Sequence, residues 1–224
     1  MPNKELNKLK NVGPATIAQL KNLGIQSIQD LCFHLPINYQ DKTKIMQISD
    51  IDVGDEAFVE GKILSVQTID KPRKMLVAKI SNGSSFFNLR LFYFHPNQSK
   101  QFRSGAHIRC FGKTSLSRYG LEMIHPDYQI MQNITPLSKT LNPVYRITKG
   151  ISQNKMRSLI KLAMDDYNFE DEEIDLSRFY NDESLTIREA LNIIHAPDPT
   201  IPIDELTPGG THPARVKLLK EELI

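Results

Sequence analysis

Between residues 53 and 128 the chain alternates short β-type segments with turns, and this pattern restricts the fold more than any other feature. The segments are rich in β-branched, aliphatic and aromatic residues, and turn sequences separate them. The predicted strands cover residues 57–69, 75–80, 86–94, 106–114 and 121–124, with a short helical or irregular excursion at 98–102. This order fits a five-stranded OB-type barrel, although an SH3-like barrel would give much the same pattern.

Helical patterns flank this region on both sides. Residues 4–35 predict two short helices joined by a turn at Gly13. Two interpretations of this turn stay open: it faces a phosphate, with Lys10 and Lys21 nearby, or it only joins two packed helices. Ser27 and Asp30 have the spacing of a capping box at the start of the second helix.

The C-terminal part returns to helical periodicity and then becomes rich in proline. Two apolar stripes predict helices, and five prolines between residues 197 and 213 predict an extended connector. The apolar stripes consist of Met156, Leu159, Ile160 and Ala163, and of Ile187, Ala190, Leu191 and Ile194. We therefore expect an α+β chain with a helical segment at 1–50, the barrel at 51–135, and a helical and proline-rich connector at 136–224.

Composition narrows the functional class. The chain has 224 residues, 40% of them hydrophobic, and no apolar stretch approaches the roughly 20 residues of a membrane span. The N-terminus lacks the layout of a secretory signal, and Cys32 and Cys110 provide no disulfide framework. We expect a cytoplasmic protein that contacts no membrane.

The net charge of +2 conceals a strong asymmetry along the chain. Residues 1–164 hold 23 Lys and Arg against 11 Asp and Glu, whereas residues 165–224 hold 5 against 15. Such a division favours an anionic partner for the first part, or docking of the acidic part on the basic part within the molecule. We expect the acidic stretch from 165 to 175 to be among the more mobile parts.

Catalytic and metal-binding motifs are not found in the sequence. It has no phosphate loop, no nucleophile elbow and no zinc-protease motif, and its six histidines are not at ligand spacing. We expect packing roles for Cys32 and His34, and a structural hydrogen bond for His125. The sequence therefore predicts neither a catalytic residue nor a metal ligand.

Basic and aromatic residues are interleaved over the predicted barrel, as in surfaces that bind nucleic acid. Aromatic rings that stack on unpaired bases are expected at Phe92, Tyr93 and Phe94. In strict strand alternation Phe92 and Phe94 share one face and Tyr93 points away, so at least one ring is outside the core. The predicted phosphate contacts are Arg90, Lys100, Arg103, Lys71, Arg73, Lys74, Lys113 and Arg118.

Several blocks of sequence, in the same order and spacing, resemble the N-terminal part of the RecG family of bacterial branch-migration helicases. The blocks are Leu9-Lys10-Asn11-Val12-Gly13-Pro14, Asp30-Leu31, His34-Leu35-Pro36, Tyr39-Gln40-Asp41, Gly120-Leu121-Glu122-Met123-Ile124-His125-Pro126-Asp127-Tyr128, Pro143-Val144-Tyr145, His212-Pro213-Ala214-Arg215 and Glu221-Glu222-Leu223.

The resemblance implies an OB-fold wedge that binds branched DNA, namely replication forks and four-way junctions, in fork reversal, recombination and repair. In that family an ATPase motor follows the wedge in the same chain. We expect this portion, without the motor, to need no cofactor and to be no enzyme, whereas ATP and Mg would serve the motor. A monomer in the bacterial cytoplasm, associated with the nucleoid, is expected.

The resemblance also implies a specific stacking ring. By position, Phe92 corresponds to the family's aromatic residue at the branch point, whereas a second ring that some members carry four residues later is replaced here by Pro96. Phe94 or Tyr93 would have to substitute for that ring. Two other functions remain open at this stage: a free-standing single-strand-binding OB protein, and a protein scaffold that binds no nucleic acid.

Overall fold

The computed structural model describes residues 5–10, 12–70, 73–133, 135–169 and 185–222, with side chains up to residue 219. Two compact units divide the chain. The first unit combines residues 1–41 and 139–224, so the N-terminal and C-terminal helical segments belong to one unit, and the second unit covers residues 42–138. Most of the acidic stretch expected to be mobile lies outside the described residues.

The elements are numbered in chain order. The helices are α1 (Pro14–Lys21), α2 (Ile28–Cys32), α3 (Pro96–Ser99), α4 (Gln153–Asp166), α5 (Ile187–His195), α6 (Ile203–Leu206) and α7 (Pro213–Glu222). The strands are β1 (Asn38–Gln40), β2 (Glu56–Ile69), β3 (Met75–Ser81), β4 (Phe86–Leu91), β5 (His107–Ser117), β6 (Gly120–Ile124), β7 (Asp127–Met131) and β8 (Asn142–Val144).

A closed sheet forms the second unit. Its order is β2-β3-β4-β6-β5, and the ring closes because β2 also pairs with β5. The long β2 makes this possible: Lys62–Ile69 pairs with β3, and Glu56–Lys62 pairs with β5. The third and fifth strands of the ring, β4 and β6, run parallel, and α3 lies between the third and fourth strands in sequence. This is the arrangement of an OB-fold, and the predicted fold class is confirmed.

The interior of the ring is apolar, and one face of each strand supplies it. Leu76, Ala78 and Ile80 of β3 are fully buried, as strand alternation requires, and they pack with buried residues of β2, β4, β5 and β6. Two differences from the sequence analysis stand out. β4 ends at Leu91 instead of residue 94, and a further strand, β7, pairs with the first half of β5.

The first unit is built mainly from helices around its own apolar core. The Ser27–Asp30 capping box is confirmed, since each side chain bonds the other residue's backbone N–H. Both predicted apolar stripes are buried, one on α4 and one on α5. A two-stranded ladder of β1 and β8, three residues each, joins the two parts of this unit. Within the described residues, no helix has the length and apolarity that a membrane span requires.

Candidate nucleic-acid interface

The chain leaves the sheet immediately after Leu91, so the aromatic residues Phe92, Tyr93 and Phe94 lie beyond the end of β4. The backbone N–H of Phe92 donates to Nε2 of His125, 3.2 Å away, so Phe92 is bonded to an imidazole and not to a neighbouring strand. Phe92 and Tyr93 form a bend before α3. The alternation expected for a strand through Phe94 is therefore wrong, because β4 has already ended.

Phe92, Tyr93 and His125 form what we call the aromatic cluster. The rings of Tyr93 and His125 are nearly parallel, with 6.2 Å between centroids and 18° between planes. The Phe92 ring is tilted by 49° against the same imidazole at 5.8 Å. Tyr93 has 76% of its surface exposed, so one face meets His125 while the other is open to solvent. An exposed, supported ring of this kind is a stacking surface for an unpaired base.

His125 is the residue that organises this cluster. Its backbone lies in the left-handed region, with φ of 49°, and its own N–H donates to the carbonyl of Arg90. This conformation directs the imidazole at the end of β4, where Nε2 accepts from Phe92. The structural hydrogen bond expected of His125 is confirmed.

Two predicted phosphate ligands lie beside these rings. The Arg73 guanidinium is 5.9 Å from the Phe92 centroid, and the Lys74 ammonium is 5.7 Å from the Phe94 centroid. Both side chains belong to exposed residues. Phe94 is half-buried and packs against the core of the ring, so its face is less available than that of Tyr93. The structure thus brings cations and an open aromatic face together at one edge of the barrel.

The other predicted cations lie elsewhere on the second unit. Lys100, Arg103, Lys113 and Arg118 are exposed. The Arg118 guanidinium covers Tyr119 at 4.8 Å in the β5–β6 turn, and the Arg103 Nε donates to the Lys100 carbonyl. No described contact joins these four residues to the aromatic cluster. Lys71 lies outside the described residues.

Two arginines of the basic surface are engaged in ion pairs. Nη2 of Arg90 lies 2.6 Å from the Glu122 carboxylate, whose side chain is 6% exposed. Arg109 is buried and its Nε donates to Glu60 at 2.7 Å. Arg109 therefore adds nothing to the exposed positive charge, and Arg90 offers only part of its guanidinium. The sequence does not distinguish these two from the exposed cations, because their partners come from other strands.

The remaining chemistry-bearing residues are structural. Cys32 and Cys110 are buried and form no disulfide, and burial raises the pKa of the Cys110 thiol far above its ordinary value. His34 lies against Tyr145, and its Nε2 bonds the Arg146 carbonyl. The packing roles expected of Cys32 and His34 are consistent with these positions. Among the described residues, no cluster of His, Cys, Asp or Glu could hold a metal ion.

Comparison with known proteins decides the family. Residues 5–166 match the family described as the RecG wedge domain. The chain belongs to the RecG wedge-domain family. The predicted resemblance is thereby confirmed over most of the chain, including the whole closed sheet and the aromatic cluster.

Relatives that match nearly all of this chain carry the name ATP-dependent DNA helicase RecG. The protein of Pasteurella multocida is 36% identical over 222 residues, which cover 98% of this chain and 32% of that protein. The Escherichia coli K12 protein is 34% identical over 221 residues, again 98% of this chain and 32% of the relative. This RecG wedge chain therefore spans about a third of the length of these relatives.

A solved RecG structure has the same fold. This structure of RecG bound to a three-way DNA junction matches all of this chain and 29% of its own chain. The TM-score is 0.69 at 22% sequence identity, so the likeness concerns the fold.

Proposed function

We propose that this chain is the wedge of a RecG-type helicase and that it binds branched DNA at the aromatic cluster. The single observation that carries the proposal is the Tyr93 ring, exposed on one face and backed by His125 on the other, with Arg73 and Lys74 along the same edge. At a branch, the last base pair of an arm has one uncovered face. A protein ring can stack there, and the adjacent cations can bind the phosphates of the diverging strands.

The proposed mechanism of strand separation follows from the position of the Tyr93 ring. Tyr93 lies on a short bend between β4 and α3, and the Phe92 backbone is fixed to His125. A ring that projects from the end of β4 would stand between the two strands when duplex is drawn past it, so they would pass on either side. The fold supplies no force of its own. The movement would come from an ATPase motor in the same parent chain.

We further propose the cellular processes and the compartment in which the wedge acts. The relatives are bacterial helicases, and ATP and Mg²⁺ would be bound by the motor and not by the wedge. Fork reversal, recombination and repair in the cytoplasm, close to the nucleoid, are the processes we assign. The wedge itself would act as a monomer, since one aromatic cluster is sufficient for one branch.

The test compares a three-way junction with a linear duplex of equal phosphate count at moderate salt, by fluorescence anisotropy. Wild type should prefer the junction. Stacking contributes about 1–3 kcal/mol per base, so Tyr93→Ala and Phe92→Ala should each weaken junction binding about fivefold or more, with little change for the duplex.

The matched control is Leu64→Ala, which truncates another exposed apolar side chain of the same unit. It should bind both DNAs as wild type does. Equal affinity of wild type for junction and duplex would refute the wedge function.

A further inference from the structure

Two stretches of the first unit carry no acidic residue. Residues 6–29 hold three lysines, and residues 139–164 hold six lysines and arginines, without any Asp or Glu in either stretch. The unit as a whole has 15 Lys and Arg against 18 Asp and Glu, so a generally basic composition does not account for them. Opposite charges are segregated along this unit, and the two stretches together carry a local excess of positive charge.

The structure brings the two stretches together at α1. The Lys155 ammonium donates to Oγ1 of Thr16 at 2.7 Å, in the first turn of α1. A Cβ at Gly150 would meet the side chain of Gln19, which lies three residues after Thr16 on the same face of the helix. Lys149, the residue before Gly150, is exposed. The β8–α4 loop and the start of α4 therefore supply cations beside α1.

Three lysines from three segments surround the start of α1, and we call them the lysine face: Lys10, Lys149 and Lys155. Lys10 precedes the exposed turn at Gly13 that leads into α1. Lys10 and Lys149 are exposed, and Lys155 is half-buried. Among the described residues, no carboxylate forms an ion pair with any of the three. Like charges in this position repel one another, so an anion that carries several charges would stabilise them.

Lys21 does not belong to the lysine face. It lies five positions after Thr16, and at about 100° per residue this turns it about 140° away from Thr16 around the helix. The sequence analysis placed Lys10 and Lys21 together near the Gly13 turn. In the structure only Lys10 is there, because Lys21 is in the last turn of α1.

The kind of anion follows from the absence of exposed rings. Residues 6–29 contain no Phe, Tyr or Trp, and the single aromatic residue of 139–164 is Tyr145, which is 2% exposed. Surfaces that hold an unpaired strand combine cations with aromatic rings on which its bases stack. In duplex DNA the bases are already stacked on one another, and cations alone bind its outer phosphates. Charge without rings therefore favours duplex DNA over a single strand.

We propose that the lysine face binds the phosphate backbone of a duplex arm of branched DNA. This inference rests on the proposed function and adds a contact in the first unit that is independent of sequence. The aromatic cluster would determine the preference for a branch, and the lysine face would supply affinity for paired DNA. The turn at Gly13 would then face a phosphate, which is the first of its two interpretations.

The experiment uses the full 224-residue chain, a linear duplex and a three-way junction, and it measures affinity by fluorescence anisotropy at several salt concentrations. Lys10→Gln/Lys149→Gln removes two exposed charges and leaves the bond between Lys155 and Thr16 in place. Each phosphate contact on duplex DNA contributes about 0.9 to the slope of log affinity against log salt concentration. The slope should therefore become less steep by about 1.8 for both DNAs, with the junction preference unchanged.

The matched control is Lys21→Gln/Lys161→Gln, which removes the same charge from exposed positions of α1 and α4 that point away from the lysine face. It should keep the wild-type slope. The proposal is overturned if Lys10→Gln/Lys149→Gln keeps the wild-type slope for either DNA, or if the control lowers the slope equally. Failure of the wedge function would instead appear as equal affinity of wild type for the two DNAs, so the two failures are distinguishable.

Discussion

A buried histidine makes the first unit sensitive to acid. In the neutral ring, His195 Nε2 donates to the Cys32 carbonyl at 2.7 Å, and Nδ1 accepts from the Tyr145 hydroxyl at 2.9 Å. Burial lowers the pKa of His195 from 6.5 to about 4. Burial also lowers the pKa of His34, so both histidines act in the same direction.

The sign and size of the effect follow from proton linkage. Between pH 6.5 and pH 4 the unfolded chain binds a proton at residue 195 that the folded chain excludes, so the free energy of unfolding falls as the pH falls. For these two pKa values the loss is about 2 kcal/mol at pH 5 and approaches about 3 kcal/mol below pH 4. Above about pH 7.5 both states are neutral and the contribution is constant.

The assay is urea denaturation at pH 7.5 and pH 5.0, followed by circular dichroism at 222 nm. Every described helix longer than one turn lies in the first unit, so this signal reports on it. His195→Gln keeps a donor and an acceptor but cannot titrate, and it should lose about 2 kcal/mol less than wild type over this pH interval. His107→Gln, in the second unit, is the control. An equal loss in wild type and His195→Gln would refute the reasoning.

Two further predictions concern the second unit. A Cβ at Gly61 would lie 2.6 Å from the Ser81 carbonyl oxygen. Gly61→Ala should therefore lower the free energy of unfolding, measured by urea denaturation, by about 1–3 kcal/mol. An unchanged free energy of unfolding would contradict the packing described. The double variant Arg73→Gln/Lys74→Gln should make the slope of log affinity for the junction against log salt concentration less steep by about 1.5, because each phosphate contact contributes about 0.7–0.9 to that slope. An unchanged slope would show that neither residue contacts a phosphate.

Local sequence signals predicted the elements of the fold well. The Ser27–Asp30 capping box, the apolar stripes of α4 and α5, and the order of the five barrel strands all depend on neighbours within a few residues. Periodicity and turn chemistry are therefore sufficient to locate them. Periodicity and turn chemistry do not distinguish an OB-type from an SH3-like barrel, because that distinction depends on which strands pair around the ring.

The features that sequence reasoning missed depend on distant partners. β4 ends early because Phe92 bonds His125, 33 residues away. The β1–β8 ladder pairs Tyr39 with Pro143, and three-residue strands carry no measurable period. From the sequence, Phe92, Tyr93 and Phe94 are all candidate stacking rings, and the bend after β4 gives Tyr93 the greatest exposure of the three. Only the three-dimensional structure shows that the His125 ring lies against Tyr93.

The most direct test of the wedge is to observe a base at the branch point. A three-way junction carries 2-aminopurine either next to the branch or in the middle of an arm, and the chain is added at saturating concentration. Stacking on the aromatic cluster should change the fluorescence at the branch and not in the arm, and Tyr93→Ala should abolish that change. A wild-type change that is equal at both positions, or absent at the branch, would contradict the account.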